Sequence, residues 1–251
     1  ERVFILASRD KSHIDRIKHI QADIDSGDIS RGWSQHKWRI SSILLPDSKV
    51  KNVEKYRLSD DELAWVEAWE WFVQNIPNDN LPGFPIWSDQ FKVKPEIPKD
   101  CPDWKENFLR KNSQFYNEHK AILDRWKKMK WGKSQKTVSE FPPSRQLFEW
   151  QAKRAHPCRE GRTLRDLVLQ FRPSGIRVKP PTYLPALVAI TQTSVVGPEV
   201  KAGIREYREL TPQEAAELQC MPHDVFAASG IDDKAAYKQL GNAVNVGVVR
   251  Y

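Results

Sequence analysis

Three features of the 251-residue sequence carry residue types that can do chemistry. The first is the Gly241-Asn242 pair near the C-terminus. A glycine lets backbone approach a ligand closely, and an asparagine offers both a donor and an acceptor. A helix N-terminal cap would use the same residues. The second is a basic block. Lys120 to Lys179 holds 16 Lys/Arg against 5 Asp/Glu, a local +11 in a chain of net +7, so the remainder is slightly acidic. Such a block is the footprint of a polyanionic partner, or else a solvated helix face. The third is the set of three cysteines, Cys101, Cys158 and Cys220. Their odd number and lack of metal-ligand spacing argue against a disulfide framework and for a reducing, cytoplasmic setting.

The elements that position these residues are legible in part. "RVFILAS" at the start is a continuous apolar run, as in a strand buried on both faces, and Ile14, Ile17, Ile20 and Ile24 follow at helical spacing. Ser59 and Glu62 form a capping box for a helix striped by Leu63, Val66, Trp69, Val73 and Ile76, with Pro77 just beyond it. Pro102 opens a second long helix carrying Trp104, Phe108, Phe115, Ile122, Trp126 and Met129. A third, shorter helix is expected from about Ser144 to Ala155. From Arg172 to Gly197 the text turns β-branched and Pro-punctuated, which reads as irregular strands and turns. The ten tryptophans fall between Trp33 and Trp150, and at helical spacing they read as core rather than as a base-stacking platform. Thr211, Pro212 and Glu214 make a second capping box with proline at the first helical position.

Hydrophobic residues at 39% and charged residues at 29% are ordinary globular usage. No window approaches the ~18 apolar residues of a membrane span. The text begins inside a strand-like run and ends inside an apolar, helix-like one, so a piece of a larger protein is expected.

"RELTPQEAAELQCMPHDVF" followed by "YKQLGNAVNVGVV" resembles the last two motif blocks of the DNA cytosine-5 methyltransferases, in order and separation. Arg208, Leu210, Thr211, Glu214, Leu218, Gln219 and Pro222 match the first block; Tyr237, Gln239, Gly241, Asn242, Ala243 and Val244 match the second. "ERVFILASRDK" looks like the tail of the family's Gln-x-Arg-x-Arg strand. Cys220 and Met221 stand where the family has Gly and Phe. The Gly-rich AdoMet turn, the Pro-Cys-Gln nucleophile loop and the Glu-Asn-Val strand have no match here. Cys158, after Pro157, has the right dipeptide in the wrong context and is not expected to be the nucleophile.

The resemblance implies an α+β fold: a mostly helical target-recognition domain over 59–207 beside a remnant of a Rossmann-like AdoMet-dependent domain from 1–58 and 208–251. It implies a DNA (cytosine-5)-methyltransferase of a restriction–modification system, with S-adenosyl-L-methionine as cofactor. Double-stranded DNA and an N-terminal catalytic part are the implied partners. On this reading Arg2 holds the flipped cytosine at O2. Gly241, Asn242 and Ala243 close the AdoMet pocket, and Arg208 ties the recognition region to the catalytic domain. Arg177 and Lys179 are candidates for guanine O6/N7, with Thr191, Gln192 and Thr193 beside them as base readers. The chain alone is expected to bind DNA without transferring methyl groups, and "RVFILAS" and "VNVGVV" to offer an apolar docking surface. A non-catalytic DNA-binding subunit of a split methyltransferase is the alternative, and an RNA cytosine methyltransferase a third reading.

Overall fold

A computed structural model describes residues 18, 38–77, 81–184, 187, 193–222, 224–226 and 230–246. Ser59 opens α1 (Asp60–Asn75) through the expected capping box: the Glu62 amide donates to its hydroxyl, and its own amide donates to the Glu62 carboxylate at 2.8 Å. The stripe of α1 is fully buried at Trp69, Phe72, Val73 and Ile76. Beyond Ile76 the last carbonyls are met by Arg162, whose guanidinium donates to Val73 O and Ile76 O. A cation at this end satisfies orphan acceptors and complements the helix dipole.

The second long helix is two helices, α2 (Asp103–Glu118) and α3 (Lys120–Lys128), broken at His119. Eight residues of continuous helix would separate Tyr116 and Asp124 by about 12 Å along the axis. The Tyr116 hydroxyl instead donates to Asp124 at 2.8 Å. The break also lets the Trp126 indole donate to Ala68 O of α1 at 2.7 Å. Trp69 lies stacked on Phe148, centroids 4.5 Å apart, and its indole donates to Arg145 O. Tryptophan here builds the core, with Trp69, Trp126, Trp131 and Trp150 buried; Trp104 stays exposed.

The expected helix over 144–155 is not present. Its place is taken by a 3-10 turn at Pro143–Arg145 and a strand, β2 (Leu147–Trp150). Phe148 and Trp150 are buried while Leu147 and Glu149 are half-buried, the two-residue alternation of a sheet. With β1 (Ile86–Trp87), β3 (Val168–Arg172), β4 (Gly175–Lys179), β5 (Ser194–Val196) and β6 (Arg208–Glu209) it forms one sheet in the order β1-β2-β4-β3-β5-β6. The β2–β4 pair is parallel and the others antiparallel. A two-residue turn, Pro173-Ser174, joins β3 to β4. Gly175 has φ +121°, and a Cβ there would lie 2.8 Å from Leu147 Cβ, so only glycine fits.

β6 leads into α4 (Pro212–Leu218), capped by Thr211 and Glu214 as expected, and α5 (Asp233–Asn242) packs beside it. The main core lies between α1, α2, α3 and the sheet. A second cluster joins Ile40 and Leu44 to Val168, Val196, Ile204 and Leu210, and a third joins α4 to α5. Among the described residues the protein is thus mixed, five α-helices with a six-stranded sheet, in keeping with the α+β expectation. No helix among them is long and apolar enough to cross a membrane. The expected "RVFILAS" strand and the second half of "VNVGVV" lie outside the described residues.

Candidate nucleic-acid interface

The basic block divides into charges that are already committed and charges that are not. Lys133 and Lys136 pair with Asp60 and Asp61 at the start of α1, at 2.8 and 2.7 Å. Arg165 pairs with Glu199, Lys120 with Asp124, and Arg162 is buried under the end of α1. Arg145 lies over the Trp65 and Phe171 rings. These cations already have partners within the fold, whatever their contribution to the outer field.

Of the others, Lys153, Arg154 and Lys179 line a cleft of about 880 Å³ at the C-terminal ends of β2 and β4. Trp150 and Gln151 come from the end of β2, Lys153 and Arg154 from the turn after it, and Lys179 from the end of β4. Pro180, Pro181, Thr182 and Tyr183 continue the wall, and Arg39 reaches in from the N-terminal side. The Ile40 amide donates to Pro181 O at 2.8 Å and fixes that approach. Lys179 Nζ sits 3.7 Å from the centre of the Tyr183 ring. Burial holds Lys179 below the usual lysine range, and the neighbouring Arg177 charge adds to that. Four cations, two large aromatic rings and one carboxylate, Asp166, line this cleft. A hollow of about 540 Å³ over α2 has mixed charge and no aromatic lining.

A different arrangement surrounds Arg208, which is fully buried. Its Nη2 and Nη1 donate to the two Glu214 carboxylate oxygens at 2.7 and 2.9 Å. Its Nε reaches Asp47 at 3.3 Å, and Nη2 also donates to Leu45 O. Glu214 in turn accepts from the Leu45 and Thr211 amides. Asp47 accepts from Arg57 at 2.6 Å and from the Arg205 amide at 2.9 Å. Burial alone would raise the Asp47 carboxyl; the Arg205 amide, Arg57 and Arg208 outweigh it and hold it below the ordinary range. Glu214 therefore serves as both helix cap and arginine partner, binding the 44–47 segment to β6 and α4.

The sequence-derived candidates are scattered over these regions. Lys179 lies in the cleft. Arg177, two residues earlier on β4, is paired with Glu149 of β2 at 2.7 Å, directly across the parallel register. Thr193 immediately precedes β5, while Thr191, Gln192 and Arg2 lie outside the described residues. Gly241 and Asn242 close α5, and Ala243 is its C-cap, donating to Gln239 O. This is a helix C-terminus, not the N-terminal cap weighed from the sequence. It is tied to α4 by Gln219 donating to Leu240 O and Asn245 donating to Leu218 O. Cys158 is exposed. Arg39, Tyr183 and Asp166 were not singled out by the sequence. Only the rise in Pro and basic content around 177–183 marks that neighbourhood.

Cys220 has φ +54°. The Met221 amide donates to Ala216 O and the Cys220 amide to Glu217 O, the two bonds of a Schellman turn with Cys220 at the left-handed position. Met221 packs against the cluster of Ala215 and Ala216. A cysteine thus occupies a turn position that favours glycine.

Comparison with known proteins agrees with the C-terminal motif. The profile of the C-5 cytosine-specific DNA methylase family matches residues 1–251. A Type II methyltransferase M.AluI from Cellulosimicrobium cellulans is 35% identical over 271 residues, an alignment taking in 90% of this chain and 48% of the relative. The chain therefore spans about half the length of that curated relative. No solved structure matches it. With the Arg208–Thr211–Glu214 arrangement and Gly241–Asn242 in the order the motif requires, the chain belongs to the C-5 cytosine-specific DNA methylase family.

Proposed function

We propose that this chain supplies the target recognition and the closing motifs of a DNA (cytosine-5)-methyltransferase that acts in a restriction–modification system. The observation that carries the reading is the cleft at the ends of β2 and β4, where Arg39, Lys153, Arg154 and Lys179 converge beside Tyr183 and Trp150. Cations at this density neutralise phosphates and set the register of a duplex, while side chains between them read base edges. The relative's name as a Type II methyltransferase supports the restriction–modification setting.

In this reading residues 59–207 form the recognition domain, and 1–58 with 208–251 belong to a Rossmann-like catalytic domain. The remaining catalytic machinery is supplied by a further N-terminal part. Arg2 holds the flipped cytosine at O2, where negative charge grows after a thiolate adds to the ring. Arg177, Lys179, Thr191, Gln192 and Thr193 contribute to DNA contact.

S-adenosyl-L-methionine supplies the methyl group. Asn242 is exposed at the end of α5, where its amide can donate and accept. Gly241 beside it adds no side chain, so the residues fit one polar edge of that cofactor. Ala243, held by Gln239 O, keeps the turn in place.

The test is methyl transfer from labelled AdoMet to genomic DNA by this chain alone and by this chain expressed with its upstream reading frame. Transfer to cytosine C5 only in the combination is expected. Transfer by the chain alone would overturn the division of labour, and none in either arm would overturn the enzyme reading.

A further inference from the structure

The cleft has one group that a surface for phosphates does not need. Asp166 is the single carboxylate among its described lining residues, facing the field of Arg39, Lys153, Arg154 and Lys179. A negative charge there opposes the binding of a polyanion. It is nevertheless held in position. His156, only 10% exposed, meets Asp166 Oδ1 through Nε2 at 2.9 Å, and its ring packs against Trp150 of the same cleft at 6.1 Å. The hydrogen bonds among the described residues engage Oδ1 alone, and the Asp166 side chain remains 39% exposed. A carboxylate fixed from behind by a largely buried imidazole, with one oxygen open, is an acceptor set up for an incoming N–H donor.

We infer that Asp166 is a specificity-determining residue of the cleft, accepting a hydrogen bond from the exocyclic amino group of a base in the recognised site. The inference rests on the DNA-binding reading of the cleft. In the major groove, the donors of that kind are cytosine N4 and adenine N6, and an acidic side chain suits the cytosine amine best. Thymine O4 and guanine O6 are acceptors, so a carboxylate facing them would be repelled. The flanking cations hold the phosphates, and Asp166 admits only a duplex with an amine at the facing position. This is discrimination by penalty as well as by attraction. His156 is the positioning residue, acting through Asp166.

The experiment uses this chain and duplexes selected from a randomised pool. Each cytosine of the selected site is replaced in turn by 2-pyrimidinone, which lacks the N4 amine, and each adenine by purine, which lacks N6. Wild type is expected to lose about tenfold in affinity at one position, and the base replaced there tells cytosine from adenine. Asp166→Ala is expected to show no loss at that position and to bind random duplex more tightly, since a repelling charge is gone. His156→Gln, which leaves the carboxylate in place but loosens it, is expected to shrink the tenfold discrimination and provides the test should Asp166→Ala fail to fold. If Asp166→Ala keeps the full penalty at the same position, another residue reads that base and the inference is overturned. If wild type binds no duplex at all, the DNA reading of the cleft falls with it.

Discussion

Arg208 and Glu214, six residues apart and both inaccessible to solvent, face each other as a two-bond fork at 2.7 and 2.9 Å. The same carboxylate caps α4 through the Thr211 amide and holds the Leu45 amide. Removing one partner of such a pair leaves an uncompensated buried charge, which typically costs about 3–5 kcal/mol. Arg208→Met is therefore expected to lower the unfolding free energy from a urea titration by that much, with a lower midpoint. Arg208→Lys should recover little, because an ammonium cannot make the planar fork. A midpoint equal to wild type for either variant would mean that the network contributes no net stability.

Asp47 sets an acid limb for the same network. Its folded pKa lies below the ordinary 3.8 through the Arg205 amide, Arg57 and Arg208, despite its burial. A carboxylate depressed in this way stabilises the fold above its unfolded pKa, and that contribution is lost as pH falls through the folded value. Stability is expected to decline below about pH 4. In Asp47→Asn it should be lower at pH 7 and flatter across that range. Thermal melts of the two proteins between pH 7 and pH 3 make the comparison; parallel curves would sink the assignment.

Cys220 holds a left-handed backbone at φ +54° that a Cβ disfavours by about 1 kcal/mol. Cys220→Gly is expected to raise stability by that amount while keeping the Schellman turn. Cys220→Ala, which retains a Cβ, should change little. Chemical denaturation of the three proteins decides, and equal stability of the glycine variant would show that the turn relaxes around the cysteine.

In the cleft, Lys153→Ala and Lys179→Ala should each weaken duplex binding at all sequences and reduce the salt slope by about one. Arg177→Ala should change the slope less, because its guanidinium is already paired with Glu149. Affinity measured across a salt series gives the slopes directly. If Arg177→Ala has the larger effect, the partition of charges between fold and ligand is wrong.

Local rules read well from sequence where the structure is itself local. Both capping boxes, Ser59–Glu62 and Thr211–Glu214, form as the spacing demands, and the α1 stripe is buried as expected. The misreadings come from long-range contacts. Nothing near His119 announces a break; it follows from Tyr116 meeting Asp124 and Trp126 reaching Ala68 on another helix. Leu147–Trp150 sits in helix-compatible text, and only its pairings with Ile176–Val178, 28 residues on, and with Ile86–Trp87 make it a strand. The charge of the basic block was visible, but its neutralising partners were not: Lys133 answers to Asp60 and Arg165 to Glu199, both distant in sequence. Asp166 gave no signal because one acidic residue among many bases looks like noise until a fold places it inside the cleft.

The sheet order has a consequence for how the proposed recognition region could be exchanged. β4 ends at Lys179 and β5 starts at Ser194, both pairing with β3 from opposite sides. The 180–193 connection therefore leaves and re-enters the framework at two strand ends about 10 Å apart, each fastened to the same central strand. A cassette exchanged between those two points would leave the β-ladder and the Arg208 network intact. Exchange at residues 59 and 207 would instead cut through the pairing of β5 with β6 and the bonds that join Asp47 to Gly203 O and the Arg205 amide. On the proposed recognition role, replacing the short insert is expected to disturb the framework less than replacing the whole 59–207 domain.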